Sequence, residues 1–168
     1  PRLISREDEE FSQEAQRILE TEGVSCYTST KALSVKNTAE GGITLTIDRQ
    51  GAEETVTGSH LLVAIGRLPN SDALDLEKAG VRRNARGFIE VDDFCRTNVP
   101  HIFALGDVNG MGAFTHTSVH DGQVFLSVLD GGEKKISQRI PTYSLFIDPP
   151  LARVGLSEKE AREQGIPY

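Results

Sequence analysis

The chain has 168 residues, of which 38% are apolar, 26% charged and 6% aromatic, with no Trp and one Met; this is room for one domain or two small ones and too apolar for a disordered tail. Its 25 acidic residues outnumber 18 basic ones for a formal charge of −7, and the cations are not gathered, so a phosphate backbone would repel it and nucleic acid is not an expected partner. The longest apolar run, Leu61–Ile65, is five residues against the ~20 a membrane span needs, and no basic-then-apolar leader opens the chain, so no membrane association is expected.

In chain order, Ser5 is positioned to cap a first helix, with Glu7, Asp8, Glu9 and Glu10 at its positive end. Phe11, Ala15, Ile18 and Leu19 recur at helical spacing, and Gly23 stops the run. A strand over Val24–Tyr27 is expected next, as in the second half of a strand–helix–strand unit whose first strand is not in the sequence. Short strands then read at Ala32–Val35, Ile43–Ile47, Thr55–Val56 and Leu61–Ile65, separated by turns at Glu40-Gly41-Gly42 and Arg49-Gln50-Gly51. Ile43, Leu45 and Ile47 alternate with Thr44 and Thr46, the period of a half-covered antiparallel strand. Leu61–Ile65 is continuously apolar, as a strand covered on both faces would be. Antiparallel strands set before a buried one point to a mixed α/β layer architecture.

Beyond these, Leu74–Gly80 is a short amphipathic turn or helix, and Phe88–Val91 and His101–Leu105 read as strands. A helix is expected over Thr117–Leu129, ended by Gly131-Gly132. Tyr143–Ile147, Pro149-Pro150, Ala152–Val154 and a helix from Ser157 to Gln164 follow, the last with Ser157 and Glu160 as a capping box and Gly165 as its stop. This tail has turn signals of its own and is expected to open another domain near Arg139.

Chemistry-bearing candidates cluster at strand ends. In Ile102–Val108 a buried strand ends in Gly106 and delivers the Asp107 carboxylate to its edge, where ligands of open α/β sheets sit. There the Asp107 carboxylate, which can accept two hydrogen bonds, either takes one from a sugar hydroxyl or merely caps a turn. In Leu61–Asn70, Gly66 ends another strand without a side chain, leaving room for a cofactor, and Arg67 follows; a plain turn with a surface arginine is the other reading. His116 and His120, four apart, could face a metal together. Thr117 stands where a metalloprotease pattern needs Glu, however, and no third ligand is evident beside Asp121, so packing at the helix start is the better account. Cys26 and Cys95 form no closely spaced pair, and buried, inert thiols of a cytosolic chain are expected, with a disulfide between them left open.

Taken together, the two strand-end glycines, about forty residues apart with antiparallel strands before the first, carry a resemblance. "LLVAIGRLPN", "RGFIEVDDFCRTNVPHIFALGDV", "AFTHTSVHDGQ" and "IPTYSLFIDPPLARVGLSEKEAREQGIPY" resemble successive segments of the flavin-dependent pyridine nucleotide–disulfide oxidoreductases, over nearly the whole chain. That family includes dihydrolipoamide dehydrogenase, glutathione reductase and mercuric reductase, and the wording of the last two segments is nearest the mercuric-reductase-like branch.

The resemblance implies a partial FAD/NAD(P)-binding fold of three β/β/α layers plus the start of an α+β dimerisation domain. It divides the chain into 1–64, the later part of an NAD(P)-binding domain; 65–138, a second FAD-binding segment; and 139–168, the opening of the dimerisation domain. It implies that Asp107 meets a hydroxyl of the flavin's ribityl chain, that Ala113, Phe114, Thr115 and His116 bring backbone near the flavin ring, and that Gly66 lies along NAD or NADP with Ala32 near its adenosine part. Ile65 stands where Thr is frequent and Thr115 where other members carry Ala; both positions act through backbone. Arg2 and Arg6 either meet a 2′-phosphate or are surface charges around the first helix.

The family's Gly-rich nucleotide turns, redox cysteine pair and catalytic His–Glu pair are not in the sequence, so no catalytic and no metal-binding residue is assigned. The expectation is an internal piece of a cytoplasmic, homodimeric FAD-dependent enzyme that passes electrons from NAD(P)H to a disulfide or a related small-molecule acceptor, with no turnover by this piece alone. The alternative from another class is a non-catalytic module that dimerises or binds a partner through residues 143–168.

Overall fold

The computed structural model describes residues 2–168. The chain forms two compact units, Pro1–Ala64 with Pro141–Tyr168, and Ile65–Ile140.

In the first unit, helix α1 spans Glu9–Thr21 and buries Ser12, Ala15 and Ile18 on one face. Asp8, not Ser5, is the N-cap residue. Arg2 secures the approach by donating to Ser12 Oγ at 3.1 Å and to the Glu7 carbonyl at 2.8 Å, so it is a fixture of the helix entrance. Strands β1 (Thr30–Asn37), β2 (Ile43–Arg49) and β3 (Ala52–Gly58) make an antiparallel sheet in that order. The β2–β3 turn has Gln50 at φ 57° and Gly51 at φ 91°, the doubly positive backbone whose twist matches a two-residue hairpin and which glycine adopts without a Cβ penalty.

The ends of the chain meet within this unit. Strands β4 (Thr142–Leu145) and β5 (Leu151–Val154) pair as a hairpin, and helix α4 covers Glu158–Glu163. The capping box is formed: Ser157 Oγ accepts from Glu160 N–H at 3.1 Å and Glu160 Oε2 from Ser157 N–H at 2.9 Å. The Asp8 carboxylate does not bond its own helix. It accepts from Glu158 and Lys159 N–H at 2.9 and 3.1 Å, serving as a second cap for α4. Buried Glu7 accepts from the Tyr143 hydroxyl and faces Arg153 Nε at 3.7 Å.

Two expected strands are absent here. Val24–Tyr27 is irregular, and residues 61–64 of the expected Leu61–Ile65 strand are irregular too, with Leu62 88% exposed. A strand exists through its ladder, and neither stretch has a neighbouring strand among the described residues; apolar composition alone supplies no hydrogen-bond partners.

In the second unit, Ile65 is likewise exposed. A 3₁₀ turn at Asp72–Leu74 leads into helix α2 (Leu76–Ala79), ended by Gly80. Leu76, Val81, Ile89 and Ala104 form one apolar cluster; Cys95, Val124 and Ile136 form a second, and Val91 packs against both. The segments expected as strands at Phe88–Val91 and His101–Leu105 each make only an isolated bridge, Arg83 with Ile89 and Arg96 with Phe103. Hydrophobic contact and single bridges hold them in place of a ladder. A 3₁₀ turn at Gly106–Asn109 then feeds a loop into helix α3, Thr115–Leu129, whose start lies two residues before the expected Thr117. A final 3₁₀ turn, Ile136–Gln138, brings the chain back to Asp93, whose carboxylate accepts from the Ser137 N–H and hydroxyl and is held below its ordinary range by those bonds.

Candidate functional site

The site assembles where Gly106–Asn109 and the first turn of α3 converge inside the second unit. Gly106 is at φ 77°, and a Cβ there would lie 2.8 Å from Ser118 Oγ. Only glycine fits both the left-handed backbone and the close approach of the helix. The turn it starts leaves Asp107 exposed, its side chain 53% accessible. A loop through Gly112 and Ala113 reaches Phe114, the N-cap residue of α3, with extended backbone (φ −125°, ψ 152°). The Phe114 carbonyl accepts the Thr117 and Ser118 N–H groups at 3.0 and 3.2 Å, and the aligned peptides of α3 leave a partial positive charge at this end. Thr117 Oγ1 closes the turn by donating to the Phe114 carbonyl at 2.7 Å and accepting its N–H at 3.2 Å.

Arg67 ties the pieces together. Its Nη1 donates to Asp107 Oδ2 at 3.3 Å and to the Ala113 carbonyl at 3.2 Å. With side chains 72% and 53% exposed, this pair contributes little stability, ~0–1 kcal/mol at most. Its effect is geometric, since one guanidinium bridges the carboxylate and the loop that carries residues 113–116.

Of the sequence-predicted residues, Asp107, Ala113, Phe114, Thr115 and His116 therefore gather at one end of α3. Thr115 and His116 form its first turn, and the His116 ring stacks on Phe114 with centroids 5.3 Å apart and planes 14° apart. Gly66 lies one residue before Arg67 at φ 144°, and a Cβ there would meet nothing within 4 Å. Ala32 lies on β1 in the first unit, exposed and paired with Ile47.

Neither cysteine takes part. Both are free thiols, and Cys95 is fully buried, its thiol pushed up to about 12 chiefly by burial and secondarily by the Asp121 charge. A thiol so raised is not nucleophilic near neutral pH. Among the described residues, no group of three or more His, Cys, Asp or Glu side chains could hold a metal ion. His120 is half-buried, and burial with the Arg139 and Lys134 charges holds it below its ordinary value.

Sequence reading missed the support behind the site. Asp121 is buried inside α3, its carboxylate turned to the Gly106–Asn109 turn. A signal was present: Thr117, Asp121 and Val124 fall at i, i+4 and i+7, so the carboxylate occupies a core-facing position of the helix. In the sequence Arg67 reads as the residue after Gly66 or a surface arginine of a turn; its reach to Asp107 spans 40 residues and is legible only in the fold.

Comparison with known proteins gives consistent matches. Residues 1–122 fit the family model described as pyridine nucleotide-disulphide oxidoreductase. The dihydrolipoyl dehydrogenase of Geobacillus stearothermophilus is 33% identical over 164 residues, covering 98% of this chain and 35% of that enzyme. The HOCl-induced flavoprotein disulfide reductase RclA of Escherichia coli superposes with a TM-score of 0.83 at 32% identity, over 96% of this chain and 37% of RclA. LpdA of Mycobacterium tuberculosis gives a TM-score of 0.84 at 26% identity, over 94% of this chain and 34% of LpdA. The chain thus spans about a third of the length of the relatives it matches, and its mixed α/β fold matches part of flavoprotein reductases.

Proposed function

The chain belongs to the pyridine nucleotide-disulphide oxidoreductase family, and on that premise we propose that it is the part of an FAD-dependent NAD(P)H oxidoreductase that holds the ribityl chain and one ring edge of the flavin. The observation that carries this reading is the convergence of Asp107 and residues 113–116 at the N-terminal end of α3, bridged by Arg67. An exposed carboxylate on a rigid turn accepts from hydroxyls of a sugar alcohol. Backbone N–H groups at the start of a helix favour an electron-rich carbonyl edge. The donor and acceptor set therefore fits a flavin, and Gly66, next to Arg67 in sequence, leaves space for a nicotinamide.

When bound, FAD supplies the two-electron chemistry between NAD(P)H and a disulfide or related acceptor. The work of this chain is to bind and orient. Asp107 fixes the ribityl register, the α3 N-terminus favours negative charge at the ring edge, and Arg67 holds the loop to the turn. With Cys26 and Cys95 the only cysteines, 69 positions apart in sequence, the chain carries no close redox pair, and no catalytic residue is assigned to it. Residues 139–168 are read as the start of a dimerisation domain. A hairpin with Phe146 96% exposed favours self-association through this segment, which sedimentation of wild type against Phe146→Ser would reveal as loss of a dimer.

The test of the flavin reading uses riboflavin, which carries the ring and ribityl chain without phosphates. Titrated into the ¹⁵N-labelled 168-residue chain, it should move the amide signals of residues 106–107 and 113–117, and Asp107→Ala should abolish that response. Shifts absent from those residues, or equally large in the variant, would overturn the assignment.

A further inference from the structure

We propose that the buried ion pair Asp121–Arg139 is the positioning device of this site, holding the Asp107 turn and the α3 entrance in a binding-ready shape from behind; as a statement about flavin binding it rests on the reading above. The two side chains are 2% and 11% exposed and so lie beneath the candidate face. Their bonds run to both halves of it. Asp121 Oδ2 accepts from Gly106 N–H at 2.9 Å and Asn109 Nδ2 at 2.9 Å, the first and last residues of the turn that presents Asp107. Asn109 extends the hold, donating to the Ala104 carbonyl at 3.0 Å and accepting Met111 N–H at 2.8 Å. Arg139 donates to the Thr117 carbonyl at 2.9 Å and to the Met111 carbonyl at 3.4 Å, gripping the first turn of α3 and the loop before it. Its Nη2 lies 3.2 Å from Asp121 Oδ1, an ionic contact off the hydrogen-bond direction, so Oδ1 takes no directed bond.

Stability alone does not account for this arrangement. Desolvating both charges costs several kcal/mol per ion, on the order of what their attraction returns, and apolar residues of similar volume would serve a core equally well. What apolar residues lack is the ability to satisfy the inward-facing N–H and C=O groups of an irregular turn. Those groups need fixed partners if the turn is to keep one conformation. A carboxylate and a planar guanidinium provide them in a rigid geometry.

A positioning pair must act locally, whereas a merely structural pair acts on the whole unit. The experiment is residue-resolved hydrogen exchange on the full 168-residue chain as wild type, Asp121→Asn, Arg139→Lys and Val124→Ala, the last lowering core packing without touching the turn. The expected result is about tenfold or greater loss of protection at residues 106–114 in both ion-pair variants, beyond any change at Val81 and Ile89, with Val124→Ala affecting all of these alike. The same variants should weaken the riboflavin response at 107 and 113–116 by about tenfold or more. Loss of protection spread evenly, as in Val124→Ala, would overturn the proposal, as would an unchanged riboflavin response on a turn that has opened. If the turn opens selectively while wild type itself shows no riboflavin response, the positioning role stands and the flavin reading falls. Should Asp121→Asn fail to fold, Arg139→Lys, which keeps the charge but loses the planar fork, decides the same comparison.

Discussion

Gly106→Ala probes the joint on which the site depends. The residue sits at φ 77°, and a new Cβ would meet Ser118 Oγ at 2.8 Å and Ser118 Cβ at 3.3 Å. Left-handed backbone costs a non-glycine residue about 1–2 kcal/mol, and crowding in a packed interface adds about 1–3 kcal/mol. The hydroxyl can rotate away, so the lower half of the crowding range applies, and the expected loss is about 2–4 kcal/mol. Urea unfolding followed at 222 nm measures it. A double-mutant cycle with Ser118→Ala separates the two parts, because that change removes the 2.8 Å contact and leaves the strained φ. The cycle should return about 1 kcal/mol of the loss. A Gly106→Ala loss under about 0.5 kcal/mol, or one that Ser118→Ala leaves undiminished, would refute the reasoning that backbone sign and helix approach together demand glycine.

The remaining predictions follow from burial and charge. With native protein at pH 8, a thiol reagent should label Cys26 and spare Cys95, whose thiol is pushed up to about 12 by burial; mass spectrometry of the native and urea-unfolded chain reads this directly, and rapid native labelling of Cys95 would contradict it. His120 is held below its ordinary value by burial and by Arg139 and Lys134, only partly offset by Asp121. The unfolded chain therefore binds a proton that the folded one resists, so stability is complete above about pH 6.5 and falls as pH drops toward the lower folded value. Urea midpoints across pH 5–8 should show that slope, and His120→Gln should flatten it. Asp8→Ala removes two bonds to the α4 N-terminus and should cost about 1 kcal/mol, read as faster amide exchange at Glu158 and Lys159; unchanged exchange there would deny the cross-cap.

Legibility in the sequence tracked how local each feature is. The Ser157–Glu160 capping box needs four consecutive residues and formed as read. The β2–β3 hairpin turn at Gln50-Gly51, with both φ angles positive, and Gly80 at the end of α2, with one, are equally local. The failures share one cause. Leu61–Ile65 has the composition of a buried strand, but a strand also needs partners, and composition does not name them. Val24–Tyr27 failed for the same reason, while Ser5 lost the N-cap to Asp8, whose carboxylate is engaged 150 positions away.

For the site, Asp107 was legible as the carboxylate after a glycine that ends an apolar run, whereas residues 113–116 came only from the family resemblance, the helix start itself being expected at Thr117 and found at Thr115. By itself, then, the sequence determined the family and the glycines of the turns, and the resemblance nominated the residues of the candidate face. Tertiary structure alone decided that Arg67 bridges Asp107 to Ala113 and that Asp121, with Arg139, stands behind them. The physical reason is that hydrogen bonds and ion pairs act over about 3 Å, whatever the chain separation. Which polar groups come within that reach is set by how the helix and the turns pack.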